Sequence, residues 1–457
     1  MELKDLFLTP LYLGLFYGLA FALRKRFTNP LTRKYFIPAL SVKFLGAIGL
    51  GLVYQFYYGG GDTFNYFSHV STVHSSLSDS FSIWLRLLQA PEIPDGDMLR
   101  YTGRMYWYKA PTEYFVVKVA SICSLFCFNS YAVIGLCFAF ISFAGMWAMY
   151  VTFLRIYPLA YKKFAIAVFF LPSVFFWGSG LMKDSLCIGA LGWTFYGFYH
   201  VFIAKKNVVT GIALGALGAY VLMSVKVYIL LSFMPPALLW VFNENSQRIK
   251  SAALRLALKP LFLLLGAGAG YLGATGLTAG DEKYDVEKIG ERTKINQEYL
   301  TNFAANGSAY SIGEFDGSAS SMLKVAPQAI VVSIFRPFLF EVRNPVMLLS
   351  ALEASLFIWL TVSLLYKTGL LKGLGLIAST PLILFSFLFS IVFAIGVGIN
   401  SGNFGTLVRY KIPLMPFYLA GLYMLQAKAA ESRRKFKRPI RLQANSPRKL
   451  GQLATTE

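Results

Sequence analysis

The sequence predicts an all-α, polytopic membrane protein of about eleven transmembrane helices with juxtamembrane helices in the outer leaflet. Three observations carry that prediction. Of the 457 residues, 56% are hydrophobic and only 14% charged, and the mean hydropathy is +0.55. Many apolar runs reach about 17–25 residues, the length a helix needs to cross a hydrocarbon core. The period-two alternation of a membrane β-barrel is absent, which leaves helices as the spanning element. The net charge of +21 sits mostly in short loops and in the C-terminal tail. That is the positive-inside distribution, so topology rather than nucleic acid accounts for it.

The elements follow in order. Met1 to Asp5 is not a basic leader and no small-residue cleavage site follows, so the first apolar run is expected to be a retained span. Span 1 covers Leu6–Leu23. The basic residues Arg24, Lys25, Arg26, Arg33 and Lys34 put the next loop in the cytoplasm and the N-terminus outside. Span 2, Pro38–Tyr57, returns outward to the stretch Gly59-Gly60-Gly61-Asp62. Within the external loop, Phe81–Leu88 has the apolar spacing of an interfacial helix. Tyr114–Phe128 is short and carries Lys118. Treating it as non-spanning keeps Arg155, Lys162 and Lys163 inside. Spans 3 to 7 are then Tyr131–Phe153, Phe164–Leu181, Leu186–Ile203, Val208–Val225 and Val227–Phe242. Span 8, Pro260–Leu277, leads to a long polar external segment, and Ala326–Phe340 is a second outer-leaflet piece. Spans 9 to 11 are Val346–Tyr366, Leu374–Ile399 and Ile412–Leu425. The expected layout is N-out and C-in. Residues 1–427 form one transmembrane body with external loops 59–112 and 278–345, and residues 428–457 form a basic cytoplasmic tail without fixed structure.

This topology gathers the chemistry-bearing side chains on the outer face. Asp62 follows three glycines at the lip of the bilayer. A carboxylate there is costly unless a ligand, water or metal satisfies it. It suits a general base for an acceptor hydroxyl, or a ligand to a divalent cation. The alternative is a solvated residue in a turn. Pro172 bends span 4, which ends at Lys183-Asp184, a cation for phosphate beside a second carboxylate; snorkelling charges at a helix end are the plainer reading. Arg336 and Glu341 flank a proline-bent apolar segment, where the arginine suits a lipid-linked phosphate or simply pairs with the glutamate. Arg409 and Lys411 open the last span as a diphosphate clamp or as interfacial anchors. Tyr66, Tyr106 and Trp107 offer aromatic faces to a sugar. His69 and His200 have no partner at metal-ligand spacing and read as structural. Glu353, inside span 9, is expected to be paired within the bundle. The cysteines Cys123, Cys127, Cys137 and Cys187 all lie in apolar segments and suggest neither a disulfide framework nor a metal site.

An aspartate in the first large external loop, interfacial helices after it, a proline-bearing span ending in Asp184, and an Arg-x3-Pro start to the last span (Arg409 to Pro413) together resemble the GT-C superfamily of integral-membrane glycosyltransferases. That superfamily includes the protein O-mannosyltransferases and the lipid A aminoarabinose transferases. The resemblance implies transfer of a sugar from a polyprenyl-phosphate carrier, on the outer face of the cell's inner membrane, to a protein, lipid or glycan acceptor. By that resemblance Asp62 is the catalytic aspartate, Asp184 a second acidic position, and Arg409 a ligand of the carrier phosphate. An extra N-terminal span precedes Asp62, and Thr63 stands where the mannosyltransferases carry a glutamate. No sequence motif requires a cofactor, and a divalent cation could bridge Asp62 and the phosphate. A second resemblance is to exopolysaccharide and O-antigen polymerases, which join lipid-diphosphate-linked repeat units. There the Gly-Asp-Thr turn at Gly61–Thr63 and the step Ser179–Asp184 are the similar residues. A lipid or sugar transporter is the non-enzymatic alternative, with Glu353 as its candidate.

Overall fold

The computed structural model describes residues 2–246, 308–313 and 316–437, together with isolated positions between 251 and 299. Among the described residues the fold is helical, and the one extended pairing is an isolated bridge between Ala309 and Asn403. Eight helices are long and apolar enough to cross a membrane. They include α1 (Leu3–Phe27) and α2 (Arg33–Leu52), whose last turns widen into a π-helical segment, Val53–Tyr57. Four short helices follow: α3 (Asp62–Ser75), α4 (Phe81–Gln89), α5 (Gly96–Thr102) and α6 (Pro111–Phe126). The long helices resume with α7 (Tyr131–Ile156), pass through α8 (Tyr161–Phe169) and α9 (Pro172–Trp177), and continue with α10 (Lys183–Phe198), α11 (Val208–Val225) and α12 (Val227–Asn245).

Beyond the next described stretch come α13 (Ala319–Phe335), α14 (Pro345–Thr368), α15 (Leu370–Ser379), α16 (Pro381–Asn400), α17 (Phe404–Tyr410) and α18 (Met415–Lys437). The candidate spans coincide with seven of the expected ones to within a few residues, plus or minus a helical turn at the ends. Spans 4 and 10 differ. The first is broken at Phe170-Leu171 into α8 and α9, and the other at Thr380 into α15 and α16. Each break precedes a proline at the first position of the next helix, with Leu171 and Thr380 extended. Proline disfavours a helical residue before it and is well tolerated at a helix start, so it starts a new helix rather than bending one. Span 8 lies largely outside the described residues. Tyr114–Phe128 corresponds to α6, at 16 residues shorter than the spans. The last helix continues to Lys437, into the basic segment expected as tail.

Packing explains the order of the bundle. α10 lies between α7 and α11, and α2 packs on α7. The α7–α10 crossing is closed by glycine: a Cβ on Gly145 would stand 1.9 Å from the Gly189 carbonyl oxygen. No larger residue permits that approach. The other half is built on α16, which touches α12, α13 and α18. Aromatic rings join the halves: Phe195 of α10 stacks on Phe385 of α16 at 5.7 Å and meets Phe417 of α18 edge-on at 5.1 Å. The N-terminus is fastened too. Asp5 is buried and accepts from Ser130 Oγ at 2.5 Å, beside the start of α7.

Candidate active site

The site forms where helix ends from both halves meet. Gly59, Gly60 and Gly61 have φ of +67°, +140° and +123°. Other residues adopt such angles at a cost, and a Cβ on Gly61 would lie 2.9 Å from the Tyr54 ring. The turn therefore folds back over the π segment, and Gly60 N–H donates to the Tyr54 carbonyl at 2.9 Å. It releases Asp62 as the first residue of α3, where a carboxylate suits the helix dipole. Asp184 occupies the same kind of place, in the first turn of α10.

Arg409, in the last turn of α17, joins the two aspartates. It donates to Asp62 Oδ2 at 2.9 Å and to Asp184 Oδ2 at 3.4 Å. Tyr54 Oη accepts from the same guanidinium at 3.3 Å, and the Trp177 ring lies 5.7 Å from it. Lys226, the single residue between α11 and α12, completes the row by donating to Asp184 Oδ1 at 2.5 Å. Two carboxylates and two cations alternate, so the cluster is neutral as a unit. Burial alone would lower both cations. It is the largest single influence on each, and the neighbouring acidic groups outweigh it only together, Asp184 with Tyr228, Cys187 and Tyr410 at Lys226 and Asp184 with Tyr54, Asp62 and Tyr410 at Arg409, so both stay protonated above their ordinary range.

The members are not equivalent. Asp184 is 2% exposed with both oxygens engaged. The Asp62 side chain is 48% exposed and shares one oxygen with Arg409. Arg409 Nε–H is buried and has no partner among the described residues. Asp62 thus keeps one oxygen clear of Arg409 and Arg409 keeps one buried donor without a partner, while Asp184 and Lys226 brace them.

Beside the cluster, Lys183 bonds Glu113 at 2.6 Å and Thr112 Oγ1 at 2.9 Å. An aromatic wall stands on α3 and the loop after α5. Tyr66 packs on Trp107 at 4.6 Å, and His69 lies edge-on to Tyr106 at 4.5 Å and to Trp107 at 5.2 Å. Burial, helped by the nearby carboxylates of Glu113, Asp62 and Asp184, raises Tyr66 above the ordinary phenol range. Burial pushes the His69 imidazole down to about 4.

Two further residues hold the frame from inside the spans. α9, which carries Trp177, is clasped at both ends. Glu353 of α14 accepts from Ser173 N at 3.0 Å and from Ser173 Oγ at 2.6 Å. Lys43 of α2, fully buried, donates to the Gly178 carbonyl, which also accepts from Ser142 Oγ at 2.8 Å. Glu353 is therefore paired within the bundle, as its cost in a span requires.

The structure thus brings together Asp62, Asp184 and Arg409 from three distant stretches. Lys183, Tyr66, Tyr106 and Trp107 lie around them. Arg336 and Lys411 are engaged elsewhere. Arg336 Nε donates to both Glu341 oxygens at 3.1 Å and the guanidinium packs on Tyr310 and Phe404. Lys411 is buried and donates to the Arg336 carbonyl at 3.1 Å. Burial pushes it down to about 8. The sequence reading missed Lys226, Glu113, Tyr54 and Lys43. The first and last had a signal: each is a lone lysine, one between two apolar runs and the other within one.

No family model, curated protein or solved structure matches the chain. The functional reading therefore rests on the site itself. Among the described residues no group of three His, Cys, Asp or Glu side chains forms a metal set. The two aspartates face a shared guanidinium, and this donor arrangement does not fit a divalent cation.

Proposed function

We propose that the protein is an integral-membrane glycosyltransferase. It takes a sugar from a polyprenyl-phosphate carrier and passes it to an acceptor on the outer face of the inner membrane. The supporting observation is the pairing of a half-exposed carboxylate, Asp62, with Arg409, whose Nε–H is buried and unpartnered. A transfer from a lipid phosphate needs a base for the nucleophile and a cation for the leaving group, side by side.

In this reading the free oxygen of Asp62 accepts the proton of the acceptor hydroxyl as the hydroxyl oxygen attacks the anomeric carbon. The bond from the anomeric carbon to the phosphate oxygen breaks, and the polyprenyl phosphate leaves with the electron pair. Arg409 takes up the charge that gathers on it. The single displacement inverts the anomeric centre. Asp184 and Lys226 hold the guanidinium in place, a positioning role rather than the second catalytic carboxylate of the family resemblance. Tyr66, Tyr106 and Trp107 form the wall for the sugar ring. Arg336 and Lys411 secure the segment between α13 and α14, and Lys183 binds phosphate only by leaving Glu113. The proposed orientation is N-out and C-in, with about eleven spans.

A polymerase acting on diphosphate-linked units is the second reading, favoured by Lys226, a further cation beside Arg409. One assay separates them. Purified protein in nanodiscs receives radiolabelled polyprenyl-monophosphate sugar and a membrane extract as acceptor. Transfer of label supports the proposal. No transfer from any monophosphate donor, with diphosphate-linked oligosaccharide consumed instead, moves the protein to the polymerase class. The same protein in sealed proteoliposomes reads the third outcome: label that crosses the bilayer without transfer makes it a transporter.

A further inference from the structure

At the other end of the bundle a cavity of about 400 Å³ opens between α14 and α18. Lys367 and Thr368, in the last turn of α14, lie about 21 Å along the helix, at 1.5 Å per residue, beyond Glu353, which clasps α9 beside the charge cluster. The cavity therefore stands apart from the charge cluster. Its mouth is basic: Lys367 and Arg433 line it, and Lys163 of α8 reaches the same place, donating to the lining residue Gln426 at 2.6 Å. Both Lys367 and Arg433 are exposed, and among the described residues neither has a carboxylate partner. The room exists because α18 presents Ala429 and Ala430 there.

One wall asks for a polar ligand. Thr368 is 8% exposed, lines the cavity, and its Oγ1 has no hydrogen-bond partner among the described residues. A buried hydroxyl without a partner costs free energy that a ligand oxygen removes. The opposite end is apolar, with Leu360 and Leu422, and Trp359 is 63% exposed two helical turns before Lys367. Two cations and a hydroxyl at one end of an apolar slot match a phosphate attached to a hydrocarbon chain. The volume lies within the ordinary range of ligand pockets, about 300–1,000 Å³.

We infer that this cavity binds a phosphate anion, supplied by the headgroup of an acidic glycerophospholipid. Its phosphate sits between Lys367, Arg433 and Thr368, and one acyl chain runs along Leu360, Leu422 and Trp359. The basic ends of spans lie beside the leaflet richest in such lipids when they face the cytoplasm.

Native mass spectrometry of the full-length protein in a non-ionic detergent tests this directly. Phosphatidylglycerol is titrated against phosphatidylcholine, with inorganic phosphate as the soluble competitor. Wild type is expected to hold one phosphatidylglycerol in preference to phosphatidylcholine. K367Q/R433Q weakens that binding on the order of tenfold or more, at roughly 1 kcal/mol for each cation near an anionic headgroup. T368V weakens it less, and phosphatidylcholine binding is unchanged in both. The charge-conserving K367R/R433K variant keeps the preference, which separates lost charge from lost fold. Equal phosphatidylglycerol affinity in wild type and K367Q/R433Q overturns the assignment. Displacement of the lipid by inorganic phosphate at equal concentration overturns the lipid source and gives the site to a soluble phosphate.

Discussion

Asp184 cannot be neutralised cheaply. It faces Lys226 and Arg409 in a setting with almost no water. Asp184→Asn leaves buried Lys226 without its carboxylate partner and Arg409 with Asp62 alone, and breaking a buried pair this way costs about 3–5 kcal/mol. The variant should unfold at markedly lower temperature. Removing both partners, in Asp184→Asn with Lys226→Met, should recover part of the loss, because an unpaired charge is worse than none. A double-mutant cycle on thermal midpoints measures the coupling, and strict additivity would contradict the pairing. His69 gives a prediction in pH. Burial among the rings of Tyr106 and Trp107 favours its neutral form and holds it near 4, below the ordinary 6.5. The unfolded chain therefore binds more protons between those values. Stability from this group is fully present above about 6.5 and falls as pH drops toward 4. His69→Phe should flatten the thermal midpoint across that window, and an unchanged slope would remove His69 from the account.

At the scale of elements, the site depends on three breaks in the helical pattern: the glycine turn before α3, the gap between α9 and α10, and Lys226 between α11 and α12. Gly61→Ala puts a Cβ against the Tyr54 ring at a φ that disfavours it. A misplaced reacting group commonly costs on the order of 10²-fold in rate, so turnover should fall by about that factor with the thermal midpoint little changed. Equal turnover would mean that the turn does not place Asp62. The sequence made these elements unevenly legible. Gly59–Asp62 stood out because three glycines and a carboxylate at a membrane edge have few other uses. Spans with unbroken apolar runs, such as Val208–Val225, were legible to the residue. The breaks at Leu171 and Thr380 were not, because hydropathy continues through a proline while the backbone does not. The clasp on α9 by Lys43 and Glu353 was illegible for a deeper reason: both contacts cross between helices, and spacing along one helix says nothing of its neighbour.

For the whole molecule, Asp62, Asp184 and Arg409 are separated by more than a hundred residues at each step, yet each sits at an end of its helix and all meet at one end of the bundle. Charge bias alone sorted them to a common face, while packing supplied the pairing and added Lys226. That sorting predicts orientation. In a background lacking Cys123, Cys127, Cys137 and Cys187, Asp97→Cys should react with a membrane-impermeant maleimide added outside intact cells. Lys206→Cys should react only after permeabilisation. The reverse pattern would invert the topology and put the charge cluster in the cytoplasm.

In the proposed reaction Asp62 and Arg409 divide the labour, Asp62 as base and Arg409 as ligand of the leaving phosphate. The most direct measurement is single-turnover transfer and donor binding, read side by side on purified protein in nanodiscs, for wild type, Asp62→Asn and Arg409→Ala. Asp62→Asn should bind the polyprenyl-phosphate sugar as wild type does but transfer it about 10²–10⁴-fold more slowly. Arg409→Ala should lose donor affinity first. Wild-type transfer by Asp62→Asn would rule Asp62 out as the base.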